Sequence, residues 1–113
     1  MSGERFNKGK LRWSLVPFSA LTYLVEVLMF GAEKYSDHNW KKGLPFNEIC
    51  ESLIRHLTSF MEGEDMDPES GLHHLGHVMA NVVFLTWMVQ NRPDLDDRIP
   101  NYKFKLKTTK ENE

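Results

Sequence analysis

The residues best suited to chemistry are concentrated in residues 63–81, which read GEDMDPESGLHHLGHVMAN. This segment holds four acids and three histidines: Glu64, Asp65, Asp67, Glu69, His73, His74 and His77. Carboxylates alone favour Mg²⁺, and added imidazoles shift the preference toward Mn²⁺ or another transition metal. Histidine also carries protons near neutral pH. The segment therefore predicts a site for a divalent metal ion or for proton transfer.

A helix should present these residues on one face. Asp67-Pro68 is typical of a helix start, because Asp caps free N–H groups and Pro is tolerated at the first helical position. A helix over residues 67–91 places Ser70, His74, His77 and Asn81 within an arc of about 60°. The opposite face is a largely apolar stripe, formed by Leu72, Leu75, Met79, Val82, Thr86 and Val89. We therefore expect the polar row to face away from the core.

The second half of this helix carries apolar residues on nearly every side, since Phe84, Leu85 and Met88 continue the row that was polar earlier. A helix that is apolar all round is buried on all sides. A chain with three helices has too few neighbours to cover it. This pattern predicts a homo-oligomer, a dimer or a tetramer.

Two further helices are indicated before this segment. Apolar residues recur at spacings of three and four from Pro17 to about Tyr35, and again from Asn47, the expected N-cap, to about Glu62. Arg55 and His56 fall in the middle of the second helix. A single helical histidine is usually a hydrogen-bonded core residue, but the nearby acids and histidines make a ligand or proton-transfer role for His56 an equal alternative.

Two basic and aromatic stretches could bind a nucleotide. The first combines Lys8, Lys10, Arg12 and Trp13, and the second is a loop with Lys34, Tyr35, Asn39 and Trp40 at and after the end of the first helix. Cations neutralise phosphates, and an aromatic ring can stack on a base. The alternatives are a solvated arm for the first stretch and a core role for Trp40.

The size and composition of the chain argue against several classes of protein. A chain of 113 residues forms one domain with a modest core. The net charge of −2 argues against binding of polymeric nucleic acid. Cys50 is the only cysteine, which suits a reducing cytoplasm, and no apolar stretch reaches the length of a membrane span. We expect a soluble cytoplasmic protein with a domain over residues 1–91 and a polar C-terminal extension over residues 92–113.

Four segments in order carry a resemblance to a known family. They are NKGKLRWSLVP (7–17), FGAEKYSDHNWKKG (30–43), RHL (55–57) and GEDMDPESGLHHLGHVMAN (63–81). Together they resemble the phage dATP/dGTP diphosphohydrolase N-terminal domain, a MazG-like nucleotide pyrophosphohydrolase of the MazZ type. The resemblance implies an all-α fold with a three-helix core that assembles into a helical-bundle oligomer. It also implies metal-dependent hydrolysis of purine deoxynucleoside triphosphates to monophosphate and pyrophosphate, in the host cytoplasm for a phage-encoded protein.

The resemblance also implies roles for individual residues. Glu64, Asp67, His74 and His77 would hold the metal, with His56, Glu64 and Asp67 as catalytic groups. Substrate would be bound by Lys8, Lys10, Arg12, Trp13, Lys34, Tyr35, Asn39, Trp40 and Arg55. MazG enzymes use paired Glu-x-x-Glu and Glu-x-x-Asp motifs on two helices, whereas the comparable position here reads His74-x-x-His77, so either histidines replace acids or the mechanism differs. A non-catalytic nucleotide-binding protein and a purely structural helical dimer are the alternative functions.

Overall fold

Three α-helices form the fold, as seen in a computed structural model that describes residues 3–5 and 8–98. They are α1 (Thr22–Lys34), α2 (Phe46–Met61) and α3 (His74–Asn91), and α3 packs against both of the others. Short 3-10 turns connect or flank them at Trp13–Leu15, Phe18–Leu21, Asn39–Lys42 and Pro93–Leu95. No β-strand occurs in residues 3–5 and 8–98, which confirms the predicted all-α class. None of the helices in this part of the chain is long and apolar enough to cross a lipid bilayer.

The core lies between α2 and the second half of α3. Phe46, Ile49 and Met88 are buried at its centre. Partly buried side chains pack around them: Trp40, Leu44, Phe84, Leu85, Trp87 and Leu95. The burial of these large side chains is the main term that holds the two helices together.

The predicted orientation of α3 is wrong. The buried side chains of this helix include His74, Asn81 and Met88, which recur every seven residues and so lie on one face. Val82 and Val89, from the stripe expected to seek the core, are 48% and 56% exposed. The polar row faces α1 and α2 because hydrogen bonds to Glu64, His56 and Ser52, and between Ser70 and His77, satisfy it there, which leaves Val82 and Val89 outside.

The helix starts also differ from the predictions. α3 begins at His74, seven residues after Asp67, and α2 begins at Phe46, one residue before the expected N-cap. Pro45 precedes α2 and offers no side-chain cap. Asp97 supplies one from fifty residues away, because its Oδ1 accepts a hydrogen bond of 2.9 Å from the backbone N–H of Asn47.

Residues 92–98 return across the start of α2. The Asn47 amide donates to the backbone carbonyl of Asp97, and Arg92 donates to the carbonyl of Lys42. Leu95 joins the core cluster. The first part of the predicted C-terminal extension is therefore packed on the helices, and residues 99–113, including the predicted polar end from Lys107, lie outside the described residues.

Candidate active site

The acids of residues 62–73 are positioned by the way α2 ends. The backbone N–H of Gly63 donates to Phe60 and that of Glu64 to Ser59, each at 3.0 Å. Gly63 has φ of +100°, the left-handed conformation that this pair of bonds requires and that glycine adopts without strain. The chain therefore reverses immediately after the helix and brings Glu64 back toward α3.

Asp67 forms a single turn rather than a helix start. Its Oδ2 accepts hydrogen bonds from the backbone N–H of Ser70 at 3.0 Å and from the Ser70 hydroxyl at 2.7 Å. Gly71 follows with φ of +74°, which ends the turn. Backbone bonds from His74 to Asp65 and from Asp67 to Leu72 then close the loop. The capping chemistry expected of Asp67 is present, but it caps one turn, and a second N-cap, His73, opens α3.

Two histidines and an acid converge between α2 and α3. His56 Nδ1 and His74 Nδ1 lie 2.9 Å apart. One ligand atom each from His56, Asp67 and His74 lie within 4.8 Å of one another. Glu64 Oε1 lies 2.6 Å from His74 Nε2, so Nε2–H donates to Glu64. In the tautomer that carries its proton on Nε2, the Nδ1 lone pair of His74 faces the other two residues.

His77 lies beside His56, but its hydrogen bond is to Ser70. Its ring stacks on that of His56 with 4.3 Å between centroids, and its Nε2 lies 2.7 Å from Ser70 Oγ. Because the ionised Asp67 carboxylate accepts the Ser70 hydroxyl proton, His77 must donate its Nε2–H to Ser70. Asp67, Ser70 and His77 thus form one hydrogen-bonded chain.

Burial shapes the protonation of these groups. Burial lowers the pKa of His56, and the neighbouring His77 lowers it further. Burial also lowers the pKa of His77, against the smaller opposing effect of Asp67. For Asp67, burial alone raises the pKa, but the hydrogen bonds from Ser70 and Glu69 and the charge of His77 together lower it. These pKa directions favour uncharged imidazoles at His56 and His77 and an ionised carboxylate at Asp67, and neutral imidazole and carboxylate are the forms that bind a metal ion.

A cleft of about 870 Å³ adjoins the histidines. Its walls are the second half of α1, the loop after it and one face of α3, and it is lined mainly by apolar side chains. His77, Ser52 and Asn81 lie on the side formed by α2 and α3, and Lys34 lies at the end of α1. Its volume is in the range of small-molecule sites.

The structure brings some of the predicted site residues together and leaves others apart. Lys34, Tyr35, Asn39, Trp40 and His77 line the cleft, and His56, Glu64, Asp67 and His74 form the adjoining cluster. Lys8, Lys10, Arg12, Trp13 and Arg55 are exposed and are not among the residues that line it. Trp40 packs on Phe84 and Trp87, with 4.8 and 5.3 Å between ring centroids, so most of this ring belongs to the core.

One residue of the site, Ser52, was not singled out from the sequence, and Ser70 was expected on the polar face but was given no partner. Ser70 links Asp67 to His77, and Ser52 accepts a hydrogen bond from Asn81. Ser52 precedes His56 by four residues, as His77 precedes Asn81, so each pair shares one helix face. The signal in the sequence was the four-residue spacing of Ser52 and His56 on α2. This spacing indicates a site only when α3 is known to lie opposite this face of α2.

Comparison with known proteins identifies the family of the chain. The model of the family described as dATP/dGTP diphosphohydrolase, N-terminal, matches residues 1–98. A dATP/dGTP diphosphohydrolase of Salmonella phage PMBT28 is 35% identical over 98 residues, which are 87% of this chain and 33% of the relative. The chain thus spans about a third of the length of the curated relative it matches. No solved structure matches the chain. The family match confirms the resemblance seen in the sequence: the chain belongs to the dATP/dGTP diphosphohydrolase N-terminal family.

Proposed function

We propose that this protein hydrolyses purine deoxynucleoside triphosphates, dATP and dGTP, to the monophosphate and pyrophosphate with a divalent metal ion, in phage nucleotide metabolism. The observation that carries the proposal is the junction of the histidine–acid cluster with the cleft, since His77 lines the cleft while its ring stacks on His56. The name of the Salmonella phage relative supports the substrate class. The reaction would take place in the host cytoplasm.

The donor set fits a metal ion. Two ligand atoms about 2.1 Å from one ion and at right angles to each other are roughly 3 Å apart, close to the 2.9 Å between His56 Nδ1 and His74 Nδ1. Asp67 adds a carboxylate within reach of both. Two imidazoles and one carboxylate favour Mn²⁺ or another transition metal over Mg²⁺. Glu64 fixes the His74 ring in the manner of a carboxylate behind a metal-bound histidine.

This assignment differs from the ligands implied by the resemblance. His77 Nε2 is bonded to Ser70, and Glu64 is bonded to the far nitrogen of His74. We therefore assign His56, Asp67 and His74 as ligands and give Glu64 and His77 orienting roles.

The bound ion would supply charge that stabilises phosphate oxygens and lowers the pKa of a water molecule. The side chains of the protein would bind and orient the metal ion and the substrate. Asp67 is held by Ser70 and His74 by Glu64, so neither ligand needs to reorganise when substrate enters. The apolar walls of the cleft suit a purine ring, and Lys34 at the end of α1 remains a predicted phosphate contact. Lys8, Lys10, Arg12 and Arg55 remain predicted phosphate contacts.

The test is product analysis by chromatography after incubation with each dNTP and Mg²⁺ or Mn²⁺. We expect dAMP or dGMP together with pyrophosphate, more with Mn²⁺ than with Mg²⁺. Monophosphate with two equivalents of inorganic phosphate, or no turnover with any metal, would contradict the proposal. Intact nucleotide retained in EDTA would instead favour a non-catalytic nucleotide-binding protein.

Substitutions distinguish loss of the metal ligands from the effect of any substitution in the same loop. His74→Ala and Asp67→Asn should abolish metal-dependent turnover and weaken Mn²⁺ binding measured by equilibrium dialysis. Asp65→Asn is the matched control, because this exposed acid lies in the same loop. Its backbone carbonyl, not its carboxylate, accepts the hydrogen bond from the backbone N–H of His74. Equal Mn²⁺ binding by all three variants would refute the ligand assignment.

A further inference from the structure

Asn81 is a buried amide whose orientation is fixed by its neighbours. Its Nδ2 donates to the backbone carbonyl of His77 at 2.9 Å and to Ser52 Oγ at 3.2 Å. A carbonyl oxygen only accepts, so the amide nitrogen and not the amide oxygen must face His77. Both hydrogens of Nδ2 are therefore used, and Oδ1 points away from this pair of bonds.

Asn81 Oδ1 has no hydrogen-bond partner among residues 3–5 and 8–98, although the residue is only 9% exposed. No side-chain polar atom in the described part of the chain is both fully buried and without a partner. Oδ1 therefore keeps contact with solvent. Because Asn81 lines the cleft, an acceptor with free hydrogen-bonding capacity is available to a molecule that enters the cleft.

The position of this acceptor suits the base of a nucleotide. Asn81 follows His77 by four residues, a distance of about 6 Å along the helix, so it lies one turn from the proposed metal and phosphate end. The surrounding walls are apolar, with Val27, Ala80 and Phe84 among the lining residues. An acceptor beside these apolar side chains suits a flat ring that carries a hydrogen-bond donor on its edge.

We propose that Asn81 Oδ1 binds the donor on the Watson–Crick edge of the purine. This donor is the 6-amino group of adenine or the N1–H of guanine. The inference rests on the proposed function and adds to it the residue that reads the base. Ser52 is the positioning residue, because its hydroxyl holds the Asn81 amide in the orientation that directs Oδ1 to the cleft.

The test compares dATP with the triphosphate of purine 2′-deoxyriboside, in which hydrogen replaces the 6-amino group. An acceptor left unpaired beside the bound analogue should lower kcat/KM for the analogue by about 10- to 100-fold. This comparison uses the unaltered protein, so it holds whether or not an Asn81 variant folds. Equal kcat/KM for the two substrates would overturn the inference while leaving the proposed function intact.

A variant then identifies the residue. Asn81→Leu should lower kcat/KM for dATP and leave that for the analogue unchanged, so that the ratio between the substrates falls to about one. Asn91→Leu is the matched control: Asn91 makes the same bond to the carbonyl four residues earlier, Nδ2 to Trp87 at 3.0 Å, but it is exposed at the end of α3. Its substitution should leave the ratio as in the unaltered protein.

Two other outcomes would count against the inference. A loss of kcat/KM with 2′,3′-dideoxyadenosine triphosphate but not with the 6-H analogue would show that the acceptor reads the sugar 3′-hydroxyl. A ratio that Asn81→Leu leaves unchanged would assign base recognition to another residue. Absence of turnover of both dATP and dGTP by the unaltered protein would mark the failure of the proposed function itself, and the inference would fail with it.

Discussion

Substitution of Gly76 by Ala tests how closely α1 and α3 approach. A Cβ at position 76 would lie 2.5 Å from the backbone oxygen of Tyr23 and 2.9 Å from Val27 Cγ2. Ordinary contacts begin near 3.4 Å, so the added methyl group is about 0.9 Å too close to a backbone atom of α1. That atom cannot rotate away, and the two helices must separate.

The expected cost follows from two opposing terms. Overpacking of a close contact costs about 1–3 kcal/mol, and we place this case near the upper end because the contact is with the backbone. Ala gains about 1 kcal/mol over Gly in a helix interior. The net decrease in the free energy of unfolding should be about 2 kcal/mol, and with a urea m-value of about 2 kcal/mol/M the midpoint should fall by about 1 M.

Urea unfolding followed by circular dichroism measures this change. Gly31→Ala is the matched control, because Gly31 is also a helical glycine but nothing lies within 4 Å of a Cβ built there. Its substitution should raise the free energy of unfolding by about 0.5–1 kcal/mol. If Gly76→Ala proved as stable as the unaltered protein, the close contact between α1 and α3 would be wrong.

Three further predictions concern acid stability, the cap of α2 and assembly. Burial lowers the pKa of His56 and of His77 below 6.5, so in EDTA their neutral rings should contribute their whole stabilisation above about pH 6.5, and the free energy of unfolding should fall as the pH drops below that value. A urea midpoint unchanged between about pH 7 and 5 would contradict this. Asp97→Ala should lower the free energy of unfolding by about 0.5–2 kcal/mol through loss of the cap, while Asp94→Ala, which removes an exposed ion pair, should shift the midpoint less in the same urea titration. Light scattering should show a homo-oligomer that Val89→Asp disrupts, whereas a monomer at all working concentrations would refute the predicted assembly.

Local sequence patterns were sufficient to predict the three helices. The spacing of apolar residues predicted both ends of α2 and the end of α1 closely, because that spacing is a property of each segment alone. The start of α1 was predicted too early, since the helix begins at Thr22 and the residues before it, Phe18–Leu21, form a 3-10 turn. The start of α3 was predicted too early. Asp67-Pro68 begins one turn, and the left-handed Gly71 stops it, so the competing turn signal outweighed the helix signal.

The sequence also indicated the segment whose side chains cluster with His56 in the structure, and the family match shows that the chain belongs to the dATP/dGTP diphosphohydrolase N-terminal family. The resemblance did not determine which nitrogen of which histidine faces which neighbour. His56 Nδ1 meets His74 Nδ1 only because α2 and α3 lie side by side, and His77 turns to Ser70 only because the loop between the helices folds back.

The largest difference between expectation and structure is the direction in which α3 faces. Judged from one helix, a row of His74, His77 and Asn81 belongs in solvent and the valines opposite belong in the core. In the folded chain the polar row is buried because Glu64, Ser70 and Ser52 satisfy its hydrogen bonds. The sequence by itself determined the helices and the inventory of reactive groups. The tertiary structure decided which groups meet, because burial of a polar side chain depends on partners that are distant in the chain.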